Sequence, residues 1–416
     1  MLKCGLLGKK LGHSYSPQIH KLLADYEYRL YEKTEDELED FLKNGDWNGL
    51  NVTIPYKKTV VKYCKDLSSI AKKIGSVNTL VKREDGSIYG DNTDAFGFSC
   101  LMKKNNVDPE GKKVLVLGSG GASVAVLAVL EEAGAKPVII SRSGENNYEN
   151  LFLHKDAVYI VNTTPVGMYP NNGESPIDLS VFPDCRAVLD IVYNPARTAL
   201  TLQAESLQIP SDTGLYMLVA QAKRSSELFS GKQIPDFKIE EIQKELSISM
   251  KNIILIGMPG CGKSTIAQCL AEKMKRDLID TDEMFHENYQ ISAGDCILQN
   301  GEAEFRRRET EILKEAGKQS GKIISTGGGC VTVPENYPLL HQNGMIVWID
   351  RKIEDLPTDG RPLSVAGKMK EMYEKRKPLY QAFADITVVN DKTVEEAADK
   401  IKEKIYEVFG NERTKS

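Results

Sequence analysis

Short apolar runs alternate with stretches of helical spacing along the first 246 residues: KCGLLG then SPQIHKLLADY; GLNVTI then KKTVVKYC; KVLVLG then ASVAVLAVLEEAG; then PVIIS, VYIVN, AVLDIVY and the long helical LYMLVAQAKRSSELF. Strands that alternate with helices predict parallel sheets built from βαβ units. Residues 252–409 repeat the style, with IILIG, DLID, KIIST, MIVWID and ITVV as strands. Between the two stretches, Ile239, Ile242 and Leu246 keep helical spacing and Ser247-Ile248-Ser249 breaks it. Met250 is followed at once by a new strand run, as at the opening of a second protein. The predicted organisation is an α/β body over 1–98 with returning helices 215–246, a second over 99–214, a short linker 247–250 and a third body over 251–416. So short a linker restricts how far the halves can separate.

At ~150 residues per domain, the 416 residues agree with two to three domains. The 41% hydrophobic and 27% charged content is that of globular protein. Lys and Arg number 54 against 59 Asp and Glu, a net of −5, and both halves are mildly acidic. Bulk attraction to nucleic acid is therefore excluded, and any anion must be gripped locally. The eight cysteines form no CxxC pair and have no histidine at ligand spacing, which reads as reduced thiols without a zinc site. Early Gly and Lys residues interrupt the first apolar run, and no stretch of ~18 apolar residues occurs. The expectation is a cytoplasmic protein with small-molecule partners and neither a membrane nor a nucleic-acid partner; monomer and homodimer both stay open.

The strongest motif lies in the second half, where Gly257-Met258-Pro259-Gly260-Cys261-Gly262-Lys263-Ser264 fits GxxxxGK[ST] between a buried strand and a helix. The backbone N–H groups of such a loop, here Gly260 to Thr265, curl round the phosphates of ATP. Lys263 reaches the terminal phosphates, and the Ser264 hydroxyl ligates Mg²⁺. Asp280 and Asp282, two apart at a strand end, share a face at the carboxyl edge of the sheet. With Phe305-Arg306-Arg307-Arg308, Thr326-Gly327-Gly328-Gly329, Gly360-Arg361-Pro362 and Lys375-Arg376-Lys377-Pro378, in this order, residues 251–409 resemble shikimate kinase, a nucleoside-monophosphate-kinase-like P-loop family. The resemblance implies ATP-dependent phosphorylation of the 3-hydroxyl of shikimate. It puts Asp282 on the acceptor hydroxyls and Asp280 near Mg²⁺. Arg306 and Arg376 then hold the substrate carboxylate, Gly328 lies at the bound ring, and Arg361 reaches the transferring phosphate. Arg307 and Arg308 read as a solvated helix face. Glu354 stands where many family members carry an arginine that packs on adenine, which alters the adenine contact and the lid.

In the first half, residues 113–142 read strand, glycine turn, helix, strand, with Gly118, Gly120, Gly121 and Ala122 in the turn. This is the Rossmann arrangement, which seats a pyrophosphate on a helix N-terminus. Ser141-Arg142-Ser143 closes the second strand where an acidic residue would favour NAD; an arginine suits a 2′-phosphate and hence NADP(H). His13-Ser14-Tyr15-Ser16-Pro17, Asn51-Val52-Thr53-Ile54-Pro55-Tyr56-Lys57, Ser76-Val77-Asn78-Thr79, Asp91-Asn92-Thr93-Asp94, Asn162-Thr163-Thr164-Pro165 and Gly214-Leu215-Tyr216-Met217 with Gln221 make residues 1–246 resemble shikimate dehydrogenase. By that resemblance Ser14 and Ser16 bind the substrate carboxylate. Thr53, Asn78 and Gln221 bind hydroxyls, and Tyr193 also lies at the substrate. Thr163, Gly214 and Met217 contact the cofactor, and Lys57 with Asp94 forms the catalytic pair. Hydride transfer to a carbonyl must be matched by a proton at oxygen, which is the physical need such a pair meets. His13 and His20 read as packing residues. The interval from Arg142 to Asn162 is shorter than the family's by about one βα unit, and Tyr216 replaces a commonly small residue.

Together the expectations describe two enzymes on one chain: NADPH-dependent reduction of 3-dehydroshikimate to shikimate, then phosphorylation of shikimate to shikimate 3-phosphate. Two other readings are a dehydrogenase half acting on quinate or shikimate with NAD, and one half retained as a small-molecule-binding regulatory module.

Overall fold

The computed structural model describes residues 1–12, 14–356 and 366–411; His13 and Arg361 lie outside them. The chain forms two compact units. The first comprises Met1–Met168, Glu174–Tyr193 and Leu200–Glu245, and the second Tyr169–Gly173, Asn194–Ala199 and Leu246–Ser416.

In the first unit, strands β1 (Lys3–Gly8), β2 (Glu27–Glu32), β3 (Gly49–Val52), β4 (Asp66–Leu67), β5 (Thr79–Lys82) and β6 (Ile88–Asp91) form one sheet in the order β2-β1-β3-β5-β6-β4. The expected all-parallel pattern does not hold here. β5 pairs antiparallel with both β3 and β6; with β6 it does so because the short Asp85-Gly86 turn that joins them is too short for a parallel crossover. Leu7, Leu50, Val52 and Leu80 point into a core closed by Leu38, Leu42 and Trp47.

The second sheet is wholly parallel: β7 (Lys113–Leu117), β8 (Lys136–Ile140), β9 (Tyr159–Asn162), β10 (Ala187–Asp190) and β11 (Ser211–Thr213), ordered β11-β10-β9-β7-β8. β7 is buried on both faces from Val114 to Leu117, which explains its unbroken apolar run. Between β8 and β9 the chain makes only a 3-10 turn, Leu151–His154, so β8 ends the sheet. The helices Thr93–Lys104 and Leu215–Ser230 pack together, and the first runs straight through residue 98.

Helix Phe237–Met250 buries Ile239, Ile242, Leu246 and Met250. Residues 247–250 are thus its last turn rather than a linker: Met250 extends the apolar stripe by one turn, which outweighs the weak helix propensity of Ser247 and Ser249. The second unit holds β12 (Asn252–Ile256), β13 (Leu278–Asp280), β14 (Ile323–Ser325), β15 (Gly344–Asp350) and β16 (Ile386–Val389), all parallel in the order β13-β14-β12-β15-β16. The central pair β12 and β15 is buried from Ile253 to Ile256 and from Met345 to Ile349. Among the described residues no helix is long and apolar enough to cross a membrane.

Candidate active sites

After β3 the chain turns through Thr53–Lys58. Two bonds fix the backbone there: the buried Tyr56 donates its hydroxyl to the Lys33 carbonyl at 2.6 Å, and Val77 N–H donates to the Lys57 carbonyl at 2.8 Å. Lys57 Nζ then donates to Asp94 Oδ2 at 2.6 Å, the two side chains being 21% and 14% exposed. Asp94 is the second residue of helix Thr93–Lys104, whose positive end favours a carboxylate. Being partly buried, the pair is screened far less than a surface salt bridge.

Around it lies a largely buried polar network. Asn78 Oδ1 accepts from Thr93 N–H at 2.7 Å, from the Thr93 hydroxyl at 3.2 Å and from the Thr79 hydroxyl at 3.0 Å. That triple use orients the carboxamide and leaves the Asn78 NH₂ uncommitted. The Ser225 hydroxyl, fully buried, lies 2.9 Å from Thr79 Oγ1 and 3.0 Å from Thr93 Oγ1, accepts from Asn51 Nδ2 at 2.8 Å and donates to the Gln221 carbonyl at 3.0 Å. Thr93 Oγ1 is 3.4 Å from Gln221 Oε1, and Tyr28 donates to Asn51 Oδ1 at 2.8 Å. One helix start, the three strands β2, β3 and β5, and the helix Leu215–Ser230 are tied together in this way.

Ser16 opens the helix Ser16–Leu23 and donates its N–H to Ser14 Oγ at 3.2 Å. Thr53 donates its N–H to the Leu7 carbonyl, and its side chain is half-buried. Tyr193 sets its ring edge-on to Tyr15, centroids 6.1 Å apart, and burial pushes its phenol pKa up.

At the glycine turn Gly118 has φ +99°, and a Cβ there would meet Thr164 at 2.8 Å. Gly120 and Gly121 face open space, and the helix Gly121–Glu132 starts without a side-chain cap, with Ala122 second. The Thr163 hydroxyl donates to the Leu117 carbonyl at 2.7 Å, joining the ends of β9 and β7. Gly214 N–H donates to the Val192 carbonyl at 2.9 Å, and a Cβ on Gly214 would fall 2.0 Å from the Ile191 oxygen, so only glycine fits where Leu215–Ser230 begins. Met217 is buried against Gly97 of the facing helix. Arg142 is exposed just past β8, with no carboxylate partner among the described residues. Tyr216 lies under Lys104, whose Nζ is 4.9 Å from the ring centre, and burial pushes its phenol up to about 12.

In the second unit a cleft of about 580 Å³ gathers Gly260, Gly262, Lys263, Ser264 and Thr265 with Asp282, Arg306, Gly328 and Arg376. Gly260 and Gly262 have φ +83° and +96°, the left-handed values that the curled loop needs. Lys263 Nζ, 8% exposed as a residue, donates to the carbonyls of Gly257 and Met258 at 3.0 and 3.1 Å. The Ser264 hydroxyl donates to Asp280 Oδ2 at 3.0 Å, while Asp280 Oδ1 caps the next helix by accepting from Asp282 N–H at 2.9 Å. Cys261 is fully buried behind the loop.

Arg306 Nη1 donates to Glu309 Oε2 at 2.7 Å and Nη2 to Glu302 Oε1 at 3.2 Å, while its buried Nε has no partner. Burial works against its charge, but the two carboxylates outweigh it and leave the guanidinium pKa raised. Glu309 is itself 4% exposed; burial pushes its carboxyl pKa up, nearby Asp282 pushes the same way, and Arg306 opposes. Arg376 Nη1 donates to the Gly328 carbonyl at 3.2 Å, as does the Tyr380 hydroxyl. Gly328 packs against Pro259 too closely for a Cβ, and Gly329 against the Arg306 guanidinium, which a Cβ there would displace. Arg307 and Arg308 pair with Glu304 on the same helix, and Glu354 is exposed in the 3-10 turn Ile353–Asp355.

Two family models match the chain: the shikimate dehydrogenase substrate binding domain over residues 6–80 and shikimate kinase over residues 259–406. A shikimate dehydrogenase (NADP(+)) of Clostridium perfringens (strain SM101 / Type A) is 36% identical over 264 residues, covering 58% of this chain and 97% of that relative. The chain belongs to the shikimate dehydrogenase family. Among solved structures, a chorismate mutase/shikimate 5-dehydrogenase fusion protein from Clostridium acetobutylicum is 38% identical, with a TM-score of 0.57 over 59% of this chain and 97% of that one. The Thermus thermophilus shikimate 5-dehydrogenase in complex with NADP(H) and shikimate is 30% identical, with a TM-score of 0.54 over 59% of this chain and 99% of that one. The dehydrogenase is therefore joined on one chain to a shikimate kinase domain, which makes it a bifunctional shikimate-pathway enzyme.

Four residues that hold the dehydrogenase site carry no role in the motif reading: Asn51, Thr79, Thr93 and Ser225. In the kinase domain Glu309 escapes that reading in the same way. Its only signal in the sequence is the spacing Arg306 to Glu309, which puts the two on one helix face.

Proposed function

We propose that residues 1–246 reduce 3-dehydroshikimate to shikimate with NADPH, and that residues 251–409 phosphorylate the 3-hydroxyl of shikimate with Mg·ATP. The observation that most supports the first half is the 2.6 Å Lys57–Asp94 pair beside Asn78 and Gln221. For the second half it is one cleft shared by the phosphate loop, Asp282, Arg306 and Arg376.

The residues fit the groups they would hold. Gly120 and Gly121 leave open space at a helix N-terminus for a pyrophosphate, and Arg142 is free to meet a 2′-phosphate. NADPH bound there supplies the hydride. Lys57 spends one N–H on Asp94 and keeps two for the carbonyl oxygen, to which it passes a proton as the oxygen gains charge. Asp94 keeps the ammonium in place and accepts from the neighbouring hydroxyl. Asn78 turns its uncommitted NH₂ to a ring hydroxyl, Thr53 and Gln221 serve the others, and Ser14 and Ser16 take the carboxylate.

In the kinase domain Ser264 and Asp280 offer the hard oxygen donors that Mg²⁺ prefers, and the ion neutralises phosphate charge when bound. Asp282 orients the acceptor hydroxyl and takes its proton. Arg306, braced by Glu309, grips the carboxylate with Arg376, and Lys263 offsets charge on the transferring phosphoryl group. Arg361 is assigned to that same phosphate, although it lies outside the described residues.

Two assays on the purified chain test the proposal: NADPH oxidation driven by 3-dehydroshikimate, against NADH and against dehydroquinate, and ADP release that depends on shikimate. A preference for NADH or dehydroquinate, or ADP release indifferent to shikimate, contradicts it.

A further inference from the structure

We propose that Arg351 is a nucleotide-gripping residue of the kinase cleft, its guanidinium directed at the phosphates of ATP; this rests on the kinase reading above. Arg351 follows directly on β15, and β15 pairs with β12 in a register that sets Trp348 opposite Ile256. Three residues further on, the chain is level with the phosphate loop. The contact is tight, since a Cβ on Gly257 would fall 2.5 Å from the Ile349 carbonyl.

The strand end is bolted to that loop. The Asp350 carbonyl accepts from Asn390 N–H at 2.7 Å, and Asn390 Nδ2 donates to the Cys261 carbonyl at 2.8 Å. Arg351 is therefore presented at a fixed place, and it lines the same cleft as Lys263, Ser264 and Thr265.

What sets it apart from Arg306 and Arg376 is that its guanidinium makes neither an ion pair nor a hydrogen bond among the described residues. Arg306 is neutralised by Glu302 and Glu309, and Arg376 bonds the Gly328 carbonyl. Asp350, the carboxylate next to Arg351 in sequence, accepts instead from the Tyr373 hydroxyl at 3.1 Å. Arg351 pairs with no carboxylate among the described residues, and its buried Nε–H donates to nothing. A buried donor of this kind gains most from an anion brought in by a ligand. Phosphate oxygens are the anions that the adjoining loop is built to hold.

The test uses the full chain with Arg351→Gln and Arg351→Lys, reading KM for ATP, KM for shikimate and calorimetric ADP affinity. The expected result for Arg351→Gln is an ATP KM and an ADP Kd raised about 10- to 100-fold, with the shikimate KM within about twofold. Arg351→Lys is expected to recover part of the loss, since it keeps the charge but not the fork. A rise in the shikimate KM instead would assign Arg351 to the acceptor carboxylate and overturn the proposal. Unchanged ATP and ADP parameters, or an equal loss on both substrates with a lower Tm in both variants, would overturn it too. If the parent chain releases no ADP with shikimate, the kinase reading fails, while the ADP titration still decides the role of Arg351.

Discussion

Lys57 and Lys263 are the lysines proposed to act in the two units, and the structure partners their charge in opposite ways. Lys57 meets a carboxylate at 2.6 Å, so the pair is neutral before any substrate arrives. Lys263 meets the carbonyls of Gly257 and Met258, dipoles that orient the ammonium without cancelling its charge. The difference follows the chemistry. In the proposed roles, a group that donates a proton at a carbonyl oxygen is kept protonated and in place by the carboxylate beside it. A group that must attract a polyanion is better left with net charge, oriented by dipoles alone.

The sharpest way to break the contrast is to make Lys57 resemble Lys263. Asp94→Asn keeps the shape and removes the counter-charge, and the expectation is a fall of about a thousandfold in dehydrogenase kcat with kinase kcat unchanged. Steady-state assays of both activities on the one variant check it.

A second, smaller effect concerns what holds the pair in place. Ser225→Ala leaves the Asn51 carboxamide and the Thr79 and Thr93 hydroxyls without their shared partner, and is expected to cost about 2 kcal/mol of stability. It should also lower dehydrogenase kcat/KM several-fold by loosening Asn78. Denaturant unfolding and the two assays together check this.

The smallest effect is one of pH. Burial lowers the His20 pKa from its ordinary 6.5 to about 3. Between those values the unfolded chain binds a proton that the folded chain does not, so the stability of the first unit falls as pH drops from about 6.5 towards 3. His20→Gln is expected to flatten that slope. Each unit has one tryptophan, Trp47 and Trp348, both buried, so Trp47 fluorescence in a Trp348→Phe background reports the first unit alone.

Much of both sites can be read from residue order because glycine loops and strand ends carry their chemistry locally. The phosphate loop, Asp280 at the end of β13 and the Lys57 turn each sit within a few residues of a strand, whereas Asp282, read as part of the same strand end, lies in the first turn of the helix Thr281–Tyr289 that Asp280 caps. Ser225 is illegible because its side-chain partners Thr93, Thr79 and Asn51 are 132 to 174 residues away in sequence, and a serine in a helix announces nothing about them. Glu309 looks in sequence like one more charge on a solvated face, and only Gly327 packed against its carboxylate reveals that it is buried. The antiparallel β5 escapes for a different reason: helix-strand alternation predicts crossovers, whereas a short turn decides direction.

The central claim, that each unit carries its own activity through its own lysine, is tested most directly by assaying both reactions on Lys57→Ala and Lys263→Ala in the full-length chain. The account predicts a crossed result: Lys57→Ala loses shikimate-linked NADP reduction and keeps shikimate-dependent ADP release, and Lys263→Ala does the reverse. Loss of both activities in either variant, or survival of the matching activity in its own variant, would contradict it.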